Sequence, residues 1–375
     1  MPKISLVFSD IEIGDGSKTD DLVEEKLLTD TIKKHFKEAK KNPSDLVLNG
    51  DIFDFLKSSY RGEYPKHITE KVSLFKLKKI VKAHPLFFKT LSLWLDNSSK
   101  SRIIFIIGNH DYDVAFQKVQ DEIKRVINKD KKERILFPGF EYTDNLIHYE
   151  HGSQLDPIFK VDPSKFIFKS KKNNGELLLR IPWGYGAIYD YFIYLKESFP
   201  LLERISPKRL VLERVLPKYK FKILKYSIIF LLKSFFYTQF KHWDDNLYRF
   251  SPYQLFHFIK SLVKKQFELL IVDQARKKVI KGPGKIIVIG HNHKGSIHKL
   301  KGKIILNTGT WRDEYDLKGK MCIPQNKNYG YIKHTKNKIY KVELIEVKSK
   351  QKPFSLAILE RKIKEEKQYI DRFFL

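Results

Sequence analysis

A layered α/β architecture is predicted by three features of this 375-residue chain. Short aliphatic runs alternate with longer helical patterns over the first 150 residues. Several of those runs end abruptly at a Ser-Asp, Gly-Asp or Gly-Asn pair, where open α/β sheets gather their sites. The composition then changes between Gly152 and Gly290, which marks an insertion into the layered body.

In chain order, Ile4 to Phe8, Leu46 to Leu48 and Ile103 to Ile107 read as buried strands, being β-branched or aliphatic runs bounded by turn residues. Between them, Asp21 to Lys40, Thr69 to Leu95 and Val114 to Asn128 have helical spacing. Leu146 to Glu150 runs into His151-Gly152, and Ile286 to Ile289 runs into Gly290-His291-Asn292-His293. Ile304 to Leu306, Tyr329 to His334 and Tyr340 to Glu346 continue the strand pattern, and residues 353–375 are expected as a terminal helix. This gives a core of residues 1–152 and 285–350 with an insertion at 153–284. Residues 153 to 289 hold 26 Lys+Arg against 11 Asp+Glu and 25 of the 51 aromatic residues. Such a stretch is too apolar to be a linker and is expected to fold as a basic, aromatic, mostly helical cap, broken at Pro200, Pro207 and Pro217.

Composition narrows the class. Hydrophobic residues make up 42% and aromatics 14%, which excludes a disordered chain despite the net charge of +28. A single cysteine, Cys322, excludes a disulfide framework and a cysteine-based zinc finger, so any metal must be held by His, Asp, Asn or Glu. Met1 to Asp10 does not read as a signal peptide, and a cytoplasmic protein is expected. The most apolar window, Ile223 to Phe240, carries Lys225 and Lys233, which disfavours a spanning helix but not a surface-lying one. The positive charge suits nucleic acid, an anionic membrane or an anionic substrate.

Five segments hold the chemistry-bearing side chains: Ser9-Asp10-Ile11-Glu12, Gly50-Asp51-Ile52-Phe53-Asp54, Gly108-Asn109-His110-Asp111, His151-Gly152 and Gly290-His291-Asn292-His293. Each follows a predicted strand, so one sheet edge brings them together. Carboxylates, an amide oxygen and imidazoles without thiolate suit Mn, Mg, Fe or Zn. A carboxylate bridging two such ions roughly 3.5 to 4 Å apart lets them activate water and clamp phosphoryl oxygens.

This ordered series resembles the calcineurin-like metallophosphoesterase family. Its motifs D-x-H, G-D-x-x-D, G-N-H-D/E, H and G-H-x-H stand here as Asp10/Glu12, Asp51/Asp54, Gly108 to Asp111, His151 and Gly290 to His293, over residues 4 to 310. The resemblance implies a four-layer α/β/β/α sandwich and two divalent ions, attacking phosphorus with a metal-bound hydroxide. It places Asp10 and His293 at the first metal, Asn109, His151 and His291 at the second, and Asp51 between them. It makes His110 the group that stabilises phosphoryl oxygens or protonates the leaving oxygen, with Asp111 orienting it. Glu12 stands where the family usually has histidine. As a ligand it makes the first position harder, which favours Mn or Mg over Zn, and Mn is the expected ion. Asp54 is expected to cap a turn or lie behind the ligands.

Ser9-Asp10 followed by an apolar residue and glycine, with Gly50-Asp51-Ile52-Phe53-Asp54-Phe55, also resembles the branch that hydrolyses UDP-2,3-diacylglucosamine at its pyrophosphate bond. That resemblance implies a lipid-linked or nucleotide-linked phosphate as substrate at the inner membrane face. The cap here is longer than that branch's, and His151 to Pro157 departs from its sequence. Lys218, Lys222, Lys225 and Lys233 fall in one arc of a helical projection, with Ile223, Leu224, Ile228 and Phe230 outside it, the pattern of an interfacial helix. The alternative is a nuclease acting on nucleic acid with the same centre; the wide spread of the basic residues weighs against it. Trp311 is expected in the core.

Overall fold

A computed structural model describes residues 1–156, 159–170, 175–182, 200–207, 274–278 and 284–361, with single positions or pairs between them and 280–282. The first half contributes β1 (Lys3–Phe8), α1 (Glu25–Lys33), α2 (Phe36–Lys41), β2 (Ser44–Asn49), α3 (Glu70–Ala83), α4 (Pro85–Asn97), β3 (Ser101–Ile106), α5 (Gln117–Asn128), β4 (Ile135–Gly139), β5 (Glu141–Asp144) and β6 (Ile147–Glu150). After the short strands β7 (Ile167–Lys169), β8 (Leu177–Leu179) and β9 (Ile205–Ser206) come β10 (Ile286–Ile289), β11 (Ser296–Leu300) and β12 (Lys303–Asn307). They are followed by β13 (Tyr315–Lys318), β14 (Met321–Pro324), β15 (Lys327–His334), β16 (Ile339–Val347) and β17 (Phe354–Ser355).

Two sheets face each other. One has the order β16-β15-β1-β2-β3-β4, with β1 to β4 parallel, and the other β11-β12-β10-β6-β5, with β6, β10 and β12 parallel. Parallel strands covered on both faces need apolar residues at successive positions, and strand parity then deals them to the two sides. Leu6, Phe8, Leu46, Leu48, Ile103 and Phe105 point to the helical face, where Leu28, Ile32, Leu77, Ile80, Leu91, Trp94, Val119 and Ile123 meet them. Val7, Val47, Ile104 and Ile106 point the other way, onto Ile147, Tyr149, Ile286, Val288 and Leu306 of the second sheet. Behind that sheet the helical segment 274–278 sets Ala275 on Ile287, Ile289 and Ile305. The layers are therefore α/β/β/α.

The expected helix over Thr69 to Leu95 is two helices. Thr69 caps the first, its hydroxyl accepting from Val72 N at 3.3 Å. Pro85 starts the second, and the residue before a proline avoids helical angles, so His84 takes φ −123° and ψ 57°. Asp21 to Lys40 likewise becomes α1 and α2, with residues 21–24 outside the helix.

Within the insertion, β7 and β8 form a hairpin, Leu179 of β8 and the flanking Phe166 and Ile181 join the core, and β9 pairs with β13. Strand structure therefore occupies part of the region expected as helical. Lys218, Lys222, Lys225 and Lys233 lie outside the described residues. The terminal segment begins with β17, is helical over 356–361, and its remainder lies outside the described residues. Among the described residues no helix is long and apolar enough to cross a membrane.

Candidate metal centre

Every expected site residue of the core lies at the carboxyl edge of the two facing sheets. Asp10 and Glu12 follow β1, Asp51 and Asp54 follow β2, and Asn109 to Asp111 follow β3. His151 follows β6 and His291 and His293 follow β10, so the second sheet supplies the imidazoles that face the first sheet's carboxylates. Ser9 Oγ to Thr308 Oγ1, at 2.6 Å, joins the two edges.

The backbone here is bent against its preference. Asp10, Glu12, Asp51, His291 and His293 all have positive φ, between 50° and 72°. Each such residue costs about 1–2 kcal/mol, and clusters of them are found where side chains must be aimed at a ligand. The motif glycines allow the close approach. A Cβ on Gly108 would lie 2.1 Å from Asp51 Oδ1, and one on Gly290 would lie 2.3 Å from Asp10 Oδ2.

Asp51 is central. Its Oδ1 accepts from His110 N at 2.7 Å and its Oδ2 lies 3.0 Å from His151 Nε2. Asn109 Oδ1 is 3.2 Å from that same nitrogen, and Asp51, His151 and His291 form one group of convergent ligand atoms. On the other side His293 Nε2 faces Asp10 Oδ1 at 3.5 Å and Glu12 Oε1 at 3.4 Å. The carboxylates of Asp10, Glu12 and Asp51 are buried.

Each histidine is held from behind. His151 Nδ1 contacts Asn49 O at 3.1 Å, His293 Nδ1 contacts Glu314 Oε1 at 2.9 Å, and His291 Nε2 contacts Asp156 Oδ2 at 3.3 Å. An acceptor on one ring nitrogen fixes the tautomer and turns the other nitrogen to the centre, as in metal-binding histidines. Buried oxygens converging with aimed imidazole nitrogens fit a divalent cation, and the donor types fit a hard or borderline one. The carboxylates around His151 and His293 favour the charged form of both rings. Burial opposes this, but Asp51 and Asp10 outweigh it at His151, pushing it up to about 9. At His293 burial is likewise overcome by Glu314, Glu12 and Asp10.

His110 is positioned by Asp54, not by Asp111. Its Nδ1 lies 3.1 Å from Asp54 Oδ1, and burial is outweighed by Glu12, Asp54 and Asp51, which push the ring up to about 9. Asp111 instead ties two loops together, its Oδ1 accepting from Gly108 N at 2.6 Å and its Oδ2 from Ile52 N at 2.8 Å. Burial and then Asp51 raise its carboxyl to about 7. Trp311 is fully buried, donating Nε1–H to Asn328 O at 2.7 Å, so it belongs to the core.

A set of charges behind Glu12 was not expected. Lys57 Nζ lies 2.5 Å from Glu12 Oε2, 2.7 Å from Asp54 Oδ2 and 2.8 Å from Asp21 Oδ2. Arg312 Nη1 lies 3.4 and 3.3 Å from the two Glu12 oxygens, and Arg312 also pairs with Asp21 and Glu203. Lys196 and Arg204 of the insertion complete the ring around Asp21 at 2.5 and 2.8 Å. Glu12 is held well below the usual carboxylate range: burial opposes ionisation, and Arg312 and Lys57 overcome it.

The family model described as calcineurin-like phosphoesterase matches residues 6–195. No curated protein matches the chain. Among solved structures, similarity extends to a conserved Streptococcus pneumoniae TIGR4 protein described as a predicted phosphoesterase, at 10% identity, covering 95% of this chain and 98% of that one, with a TM-score of 0.29. Vacuolar Protein Sorting 29 of Cryptosporidium parvum is similar at 12% identity, covering 93% and 99%, with a TM-score of 0.25. The phosphopantetheinyl hydrolase of Mycobacterium tuberculosis is similar at 10% identity, covering 82% and 90%, with a TM-score of 0.27. Membership of a family rests on the family match and the geometry of the centre, not on these distant likenesses.

Proposed function

The chain belongs to the calcineurin-like phosphoesterase family, and from that premise we propose that this metal-dependent phosphoester hydrolase works with a pair of divalent ions that the residues around Asp51 would hold. The observation that carries the reading is Asp51 itself, buried, with His151 on one oxygen and the His110 backbone on the other. Asp51, Asn109, His151 and His291 would hold one ion, and Asp10, His293 and Asp51 the other. When bound, such ions polarise phosphoryl oxygens and lower the pKa of water, Mn and Mg being well suited to the oxygen-rich donors.

The protein's own residues do the rest. His110 meets the substrate as imidazolium, kept charged by Asp54 and Glu12, and can donate a hydrogen bond to a phosphoryl oxygen or a proton to the departing one. Asp54 stays hydrogen-bonded to the ring as its charge changes. Asp10, Asp51 and the three histidines are fixed by backbone and carboxylate contacts before substrate arrives, so little reorganisation is left for the reaction.

The substrate we propose is a lipid-linked or nucleotide-linked phosphate, met at the cytoplasmic face of a membrane. Its support is the composition of residues 153–289, where 26 Lys+Arg accompany 25 aromatics. The reaction is tested by hydrolysis of p-nitrophenyl phosphate and bis-p-nitrophenyl phosphate by chelator-stripped protein, with Mn, Mg or Zn restored in turn. Release that depends on an added metal is expected; equal release with and without chelator would remove the metal centre from the mechanism. Co-sedimentation with anionic but not neutral vesicles tests the membrane part, and salt-sensitive binding to a random oligonucleotide in its place would favour the nuclease reading.

A further inference from the structure

We infer that the two metal positions bind with unequal affinity, because Lys57 and Arg312 already occupy the Glu12 side of the centre as internal cations and Glu12 is their counter-ion. The inference rests on the metal-centre reading above and concerns the chain's own charges toward that centre.

Both Glu12 oxygens are engaged by protein cations. Oε2 is bonded to Lys57 Nζ at 2.5 Å and Arg312 Nη1 reaches both oxygens at 3.3 and 3.4 Å. The side chains are almost wholly out of water, with exposures of 1% for Lys57, 4% for Arg312 and 0% for Glu12. These cations are also fixed. Lys57 is held between Asp21 and Asp54, and Arg312 between Asp21 and Glu203, so neither can swing aside to admit an ion. Glu12 is therefore spent on these cations, and a position served by Asp10, His293 and Asp51 lacks the carboxylate donor that residue 12 would otherwise add. The opposite side differs. Among the described residues, Asp51 pairs with no Lys or Arg, and the partners of His151 and His291 are an amide oxygen, a backbone carbonyl and carboxylates. Histidine at position 12 would have needed no counter-charge; glutamate needs one, and Lys57 and Arg312 supply it.

Disturbing the shell that holds a metal's ligands lowers its affinity by about ten- to a hundredfold, and withholding a carboxylate donor does so no less. The test is calorimetric titration of chelator-stripped protein with Mn, with bound metal counted by elemental analysis after gel filtration. Wild type should show one tight equivalent that survives gel filtration and a second at least about tenfold weaker that does not. Lys57→Gln should tighten the second equivalent by about tenfold or more and leave the first within about threefold, while Lys57→Arg should preserve the gap. Two equal equivalents in wild type, or a gap unchanged in a folded Lys57→Gln protein, would overturn the inference. If Lys57→Gln does not fold, the wild-type isotherm decides alone. Failure to bind any Mn, Mg or Zn would instead sink the metal-centre reading, a result distinct from either outcome.

Discussion

The parallel strands of the first sheet end in charged clusters at both edges, and the two clusters are built differently. At the amino edge Lys3 pairs with Asp45 and Asp144, and Arg102 grips Asp45 through two bonds of 2.9 and 2.8 Å, around an open cleft of about 580 Å³. These cations keep water, with exposures of 18% for Lys3 and 35% for Arg102. At the carboxyl edge Lys57, Lys196 and Arg312 have almost none, and five residues accept left-handed backbone to aim their side chains. Solvated pairs can be lost at small cost, whereas desolvated charges must be compensated by one another. The difference marks the carboxyl edge as the place where charge is organised for a ligand.

The sharpest test of that distinction is catalytic. Asp51→Asn and His110→Ala should each reduce kcat by about a thousandfold or more while thermal melts shift by only a few degrees. A folded variant with near-normal turnover would show that the centre lies elsewhere. Next in size is Asp21→Ala, which strips Lys57, Lys196, Arg204 and Arg312 of a shared partner and should destabilise the protein by about 3–5 kcal/mol in urea titration. A loss near that of a surface pair would mean that water reaches this network.

A third prediction concerns His84, which joins Asp20 and Glu25 beside the same region. Burial would lower its pKa, but hydrogen bonds donated to Asp20 and Glu25 overcome that and raise it to about 9. The folded value lies above the unfolded one, so the stabilisation is complete below about pH 6.5 and fades as pH rises through about 9. Discounted for partial solvent screening, His84→Gln should cost about 1–2 kcal/mol at pH 6 and little at pH 10. A pH-independent difference would assign the cost to packing. The smallest effect is expected at the amino edge, where Lys3→Gln, which leaves Asp45 its two bonds to Arg102, should cost below about 1 kcal/mol; a cost equal to that of Asp21→Ala would dissolve the contrast between the edges.

Much of the centre was legible because its residues sit directly after short aliphatic runs, a position that fixes which edge they share. Asp10, Asp51, Asn109, His151, His291 and His293 needed only that rule and the residue types. The role of Asp54 was harder, since a carboxylate in a turn usually caps it, and Asp54 does accept from Lys57 N at 3.0 Å as well as from His110. The network behind Glu12 could not be read. Lys57, Lys196, Arg204 and Arg312 resemble solvated lysines and arginines, and their shared partner Asp21 lies up to 291 positions away in sequence. One faint signal was Lys57 itself, set after Phe55-Leu56 where an exposed residue would break an apolar run. The β7–β8 hairpin also had a signal, the Asn174-Gly175 pair, masked by the aromatic richness around it.

The span of those pairings has a consequence for how the molecule comes into being. His291 N donates to Asp10 across 281 positions, and β1 receives its second neighbour only when β15 arrives. At about 5–20 residues per second, synthesis leaves roughly 15–60 s between the two halves of the centre. During that interval β1 is open on one side and Glu12 and Asp21 lack Arg312, so the stretch matched by the family model still lacks contacts of the finished core. High contact order of this kind slows folding and exposes strand edges. The last contacts of the centre thus wait for the end of the chain to be made.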